Sequence, residues 1–288
     1  MDYGVLVSRA LRIMWKYKYL WILGFLVSLG EGGGQVIVNF HKKSDLTSSF
    51  LAQPGIILLL VLSGVFLFVL FLILRYIAHG GLIHCVNRID RSEPTGLGDG
   101  WKAGLRNFWR LFGIGILILL MIISVTVVFA APVVVAFLIH KTLGILSLVF
   151  FIPLFVIALI VICFIDAYAD RVCVIEGKGV TDSIKEGWFT FRNNLGKSIF
   201  VATISLFSSI VYGTLFILIG LGLVADFFLA WAFAGLIPAM LIGISIMLVY
   251  VVITEGIFTT FLSAFWTLSY SEIKGLIPKP AIAQSDSK

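Results

Sequence analysis

Four ionisable side chains stand in tracts that are otherwise almost free of charge: Arg75, His79, Asp166 and Glu255. An ionisable group at membrane depth is costly, so it marks either a proton or ion relay or a buried ion pair that fixes helix packing. A third use is snorkelling, with the head reaching the interface. Glu255 is the clearest case. It precedes Leu268 by 13 residues, about 20 Å along a helix. Arg75 precedes Asp90 by 15 residues and Glu255 precedes Glu272 by 17, so their depths match. The four are expected as one polar cluster inside a helical bundle.

A second set is basic: Arg12, Lys16, Lys102, Arg106, Arg110, Lys185 and Arg192. Each lies where Trp, Phe, Met and Leu recur at helical spacing on an adjoining face. Such a helix lies flat among headgroups, its cations meeting anionic lipid or a partner protein. Asp99 and Asp182 occupy expected N-cap positions of two such helices.

Catalytic signatures are absent from the chain. It has no Walker loop, no G-x-S-x-G, no H-E-x-x-H and no C-x-x-C. The glycines from Gly30 to Gly34 lack a following Lys-Ser/Thr and read as a turn. Cys85, Cys163 and Cys173 are odd in number and show no metal spacing, so they are expected as reduced thiols. The expectation is a protein that is not an enzyme and uses no metal or other cofactor.

The elements that must position these residues follow from composition. Of 288 residues, 60% are hydrophobic and only 12% charged. A soluble domain is about a quarter charged. This excess of apolar side chain excludes a soluble enzyme, a disordered chain and a secreted disulfide scaffold. The fold class expected is an all-α integral membrane protein. Residues 54–74, 111–139 and 142–165 carry no charge, and a long tract from 198 to 271 carries only Asp226 and Glu255. Since about 20 residues cross a bilayer, the long tract suits two helices with a turn near Asp226. Residues 19–30 form a sixth, short stretch that 35–40 would extend. No signal-peptide cleavage site follows it.

Charge asymmetry sets the topology. With six crossings, 18 of the 21 Lys and Arg fall on one side and three on the other. The positive-inside rule puts the richer side in the cytoplasm, with both termini. This also gives the net charge of +6 a membrane explanation in place of nucleic-acid binding.

The chain also repeats. At an offset of 83, Gly96, Asp99, Lys102, Gly104, Phe108 and Gly113 match Gly179, Asp182, Lys185, Gly187, Phe191 and Gly196. Residues 105–110 match residues 11–16 at an offset of 94. Three modules are expected, about 1–92, 93–178 and 179–276, each an interfacial amphipathic helix followed by a helical hairpin. Residues 277–288 form a polar cytoplasmic tail.

Several segments carry a resemblance: residues 11–16, Gly80-Gly81, Arg88, Asp99-Gly100-Trp101, Val174-Ile175-Glu176-Gly177, Asp182-Ser183, and the terminal Trp266, Tyr270 and Glu272. The chain resembles a prokaryotic group of six-span proteins similar to the membrane domain of some glycerophosphodiester phosphodiesterases. The resemblance implies six spans in the plasma membrane and implies no activity. Only about 17 residues follow Ser271, with no phosphodiesterase catalytic set. The leading expectation is a scaffold or accessory subunit that organises lipid or partner proteins. The second is a transporter or permease component using Glu255 and Arg75.

Overall fold

The computed structural model describes residues 1–38 and 54–276. The expected tail, 277–288, lies outside the described residues. Among those described, regular structure is entirely helical. The order is α1 (Tyr3–Lys16), α2 (Leu20–Val38), α3 (Pro54–Asp90), α4 (Leu97–Ile139), α5 (Lys141–Arg171), a five-residue π-helical turn (Val172–Glu176), α6 (Val180–Asn193), α7 (Leu195–Ala234) and α8 (Leu236–Ile273).

Five of these are long and apolar enough to cross a membrane: α3, α4, α5, α7 and α8. Their lipid-sized stretches leave large apolar side chains such as Phe66, Leu138, Val149 and Phe207 exposed. Water would penalise that surface, whereas acyl chains would not. The apolar part of α2, Leu20–Gly30, is shorter. These features make the chain a multi-pass membrane protein.

Local chemistry explains the helix ends. Asp2 caps α1, its carboxylate accepting from the backbone N–H of Gly4 and Val5. The expected N-caps Asp99 and Asp182 are displaced by one turn. Gly96 and Gly179 precede α4 and α6, and the aspartates stand at the third helical position. Asp99 reaches back to accept from the Gly96 N–H at 3.2 Å, as the acidic member of a capping box does. The turn expected near Asp226 is also corrected. Asp226 lies inside α7, and the break comes at Gly235, where φ is +82°. A left-handed backbone there suits glycine, whereas an Asp inside a helix leaves the hydrogen-bond ladder intact.

The chain divides into two compact units: Asp2–Arg106 with Val201–Leu268, and Asn107–Phe200 with Met1 and Ser269–Lys288. In the first, Leu6, Ala10, Ile13 and Met14 of α1 pack into a core with Leu20 and Leu23 of α2, Leu82 and Val86 of α3, and Phe261, Phe265 and Leu268 of α8. Helices α2 and α8 touch through Gly24 and Gly256, and the Thr260 hydroxyl donates to the Leu20 carbonyl at 3.0 Å. In the second unit Phe191 of α6 stacks on Phe164 of α5 with ring centroids 4.7 Å apart. There the Tyr168 and Ser198 hydroxyls share a buried hydrogen bond.

Candidate functional site

Two of the three amphipathic segments turn mostly small residues inward, whereas α1 buries Leu6, Ala10, Ile13 and Met14. In α6 the buried stripe is Ser183, Gly187, Thr190 and Phe191. In the head of α4 it is Gly100, Ala103, Gly104 and Asn107. Gly104 lies against the Ile77 carbonyl of α3, and Gly187 lies against the Ile165 carbonyl of α5. A Cβ at either position would collide with backbone. Small residues therefore set how closely the head of α4 and α6 each approach the span before them. The two glycines are a matched pair at the offset of 83. Their contacts, Ile77 and Ile165, are themselves 88 residues apart.

Part of the aromatic face is left outside. Trp109 is 75% exposed and Trp15 58%, with Leu11, Leu105, Trp188 and Phe189 also exposed. Arg12, Lys16, Lys102, Arg106, Arg110, Lys185 and Arg192 are all exposed beside them. By helical spacing Trp188 falls on one face with Phe191, and Leu11 with Met14. The fold separates each pair, burying one member and exposing the other. Segments α1 and α6 are free-standing helices, whereas the head of α4 runs unbroken into its span.

A charged network crowns the second unit. The π-helical turn ends at Glu176, and Gly177 closes it with a positive φ of 69°. The carboxylate of Glu176 accepts from the Tyr270 hydroxyl of α8. It also pairs with Lys178 at 2.8 Å and Lys274 at 3.7 Å. Glu186 of α6 pairs with Lys178 at 3.3 Å and with Lys274. Arg110 donates to the Gly177 carbonyl at 3.1 Å, so one of the predicted basic residues clasps this turn. Lys274, with Lys178, holds the Glu186 carboxyl below its usual range. The hydrogen bond to Glu176 raises the Lys178 ammonium above its own.

Sequence reasoning passed over this network. Glu176 and Tyr270 lie in two of the segments that carry the family resemblance, yet nothing local links them. A π-helical turn is an irregularity that recurs at functional sites. In the first unit an analogous tie joins Arg9 of α1 to Asp90 at the end of α3. Nearby, the Tyr19 hydroxyl donates to the Thr95 carbonyl at 3.2 Å, and burial lifts this phenol to about 12.

The four predicted intramembrane residues are divided between the units. Arg75, His79 and Glu255 belong to the first, and Asp166 to the second. All four are half-buried. The aliphatic stem of Arg75 covers Gly30 of α2. Glu255, on α8, neighbours Tyr212 of α7. Asp166 lies with Asp170 near the buried Arg171, which donates to the Ala167 carbonyl at 2.5 Å. Among the described residues no three His, Cys, Asp or Glu side chains converge as a metal-ligand set. Cys85 and Cys173 are buried free thiols, and Cys163 is an exposed one.

Residues 12–271 match the model of a family of unknown function (DUF7544). No curated protein matches the chain, and no solved structure does.

Proposed function

The chain belongs to that family of unknown function, and from its own residues we propose a non-enzymatic membrane component that organises anionic lipid and partner proteins. The observation that carries this reading is the outward aromatic and basic face of the three amphipathic segments, with Trp15, Trp109 and Trp188 exposed beside the seven cations. Indole rings favour the headgroup depth, and each nearby cation gains from an anionic leaflet. In this reading α2 completes a sixth crossing in a prokaryotic cytoplasmic membrane. Both termini lie inside, and three modules each place one such segment on the inner face. Support comes from the 18-to-3 division of basic residues and from the matched Gly104 and Gly187 contacts.

The test is retention of lipid. The protein is extracted gently from a mixed anionic and zwitterionic membrane, and the lipid that stays bound is quantified by mass spectrometry. Wild type should retain anionic lipid. A variant with Arg12, Lys16, Lys102, Arg106, Lys185 and Arg192 changed to Gln should lose most of it. Equal retention would overturn the reading. Arg110 is left intact because it also holds the Gly177 turn.

A transporter or permease component using Glu255 and Arg75 is the second reading. It is favoured by the half-buried carboxyl of Glu255 at mid-span. Its test is solute flux in vesicles, wild type against Glu255→Gln.

A further inference from the structure

The hairpin of α7 and α8 is closed by an aromatic seam. Tyr250, Thr254 and Phe258 recur every four residues on one face of α8, and Tyr212 and Phe216 do so on α7. Tyr212 stacks on Phe258 with centroids 4.0 Å apart and planes 2° from parallel. Phe216 stacks on Tyr250 at 5.1 Å, and the Tyr250 hydroxyl donates to the Phe216 carbonyl at 2.9 Å. Glu255 stands at the edge of this seam. It lies 13 residues after Ile242 and 18 before Ile273, the ends of the apolar stretch of α8. By helical rise that is about 20 Å from one end and about 27 Å from the other, near the middle of a bilayer.

Two polar groups meet here. The Tyr212 hydroxyl is sealed from solvent and faces Glu255 and Thr254. Thr254 spends its own hydroxyl on the Tyr250 carbonyl at 2.7 Å. Among the described residues no cation lies within ion-pair distance of Glu255. A carboxyl with no counter-ion in hydrocarbon is expensive. A cation supplied from outside would offset that cost, and the aromatic flank beside it suits apolar substituents. Inorganic ions are poorly served, because hard metal cations want about six or more oxygen ligands and, among the described residues, the seam offers only the Glu255 carboxyl and the hydroxyls of Tyr212, Tyr250 and Thr254. A large organic cation needs few oxygens. It reaches such depth through the acyl chains, and the half-buried flank of Glu255 leaves it a way in.

We propose that Glu255, Tyr212 and the rings of Phe216, Tyr250 and Phe258 form an intramembrane site for a hydrophobic organic monocation, an ammonium or phosphonium with apolar substituents. The carboxylate neutralises the charge, and the open flank of the seam lies against the apolar substituents. The site uses none of the residues that carry the lipid reading, so each stands or falls separately.

The experiment uses the full chain in nanodiscs with tritiated tetraphenylphosphonium as probe. Wild type should bind it saturably at one per chain, with no competition from the neutral isostere tetraphenylmethane. Glu255→Gln should weaken binding at least tenfold, and Phe258→Leu severalfold. Unsaturable uptake, or equal affinity in Glu255→Gln, would overturn the proposal. A second measurement needs no variant. Dicyclohexylcarbodiimide should label Glu255 of the wild-type protein, and saturating tetraphenylphosphonium should slow that labelling at least fivefold. Labelling of Glu255 that the cation leaves unchanged would make it a proton-bearing group alone, and the cation site would fall.

Discussion

The Tyr270 hydroxyl donates to the Glu176 carboxylate across 94 residues of sequence. Tyr270 is fully buried at the end of α8, and Glu176 ends the π-helical turn that follows α5. This bond ties the end of α8 to the junction from which α6 departs. Tyr270→Phe removes the donor and leaves Glu176 with its lysines. A hydrogen bond to a charged group contributes about 1.5–3 kcal/mol. The variant should unfold at lower temperature in detergent, and Glu176→Gln should lose more because two ion pairs go with it. An unchanged melting temperature in both would show that this tie contributes nothing.

The same network gives the protein a pH signature. Glu186 has a lowered carboxyl pKa, held down by Lys274 and Lys178. Its contribution is present above the unfolded value of 4.5 and is lost as pH falls through the lowered folded value. Lys178 has a raised pKa, so its contribution is present below 10.5 and is lost as pH rises through the raised folded value. Thermal melts between pH 3 and 8 should therefore fall off on the acid side. Glu186→Gln should flatten part of that acid limb, whereas an identical limb in wild type and variant would contradict the assignment.

Packing predicts opposite outcomes for glycines of one chain. Gly104 and Gly187 each abut backbone, so Gly104→Ala and Gly187→Ala push two helices apart. Overpacking costs about 1–3 kcal/mol. Gly220 on α7 has nothing near it, and Ala is about 1 kcal/mol the better helix former. Gly220→Ala should leave the melting temperature unchanged or raise it. Losses of similar size at all three positions would mean that the close approaches do not set packing.

The thiols report burial directly. Cys163 is exposed on the apolar span α5, while Cys85 and Cys173 are buried. A membrane-permeant maleimide should modify Cys163 first in the folded protein and all three after denaturation. Early labelling of Cys85 would show that the contacts of its thiol with Thr95 and Gly96 open readily.

Indole depth tests the lipid reading from a second side. Trp109 and Trp15 project from amphipathic segments. Phospholipids brominated near the glycerol end of the chain should quench them more strongly than phospholipids brominated at the chain terminus. The reverse order would place these segments away from the headgroups.

Much of this was legible in residue order because it depends on sums over local windows. Apolar tracts reveal helices of membrane length whatever their partners, since lipid and protein interiors accept the same side chains. The basic clusters are exposed because charge avoids burial without a partner, wherever the helix happens to pack. Asp2 and the run that follows dictate the start of α1 through a bond reaching only three residues.

Other features were decided by tertiary structure. Periodicity marked an aromatic stripe in each amphipathic segment and would equally have allowed it to face inward. The close fit of Gly104 on Ile77 and of Gly187 on Ile165 turned the small residues in and left Trp109 and Trp188 outside, while Trp101 packs against the core. Glu255 announced itself by type and depth, but its neighbour Tyr212 lies 43 residues away on another helix. The network of Glu176, Lys178, Glu186, Lys274 and Tyr270 draws on three helical elements, the loop before α6 and the turn after α8. No window of sequence holds such a network, because its attraction exists only once folding has brought distant charges within a few ångströms of each other.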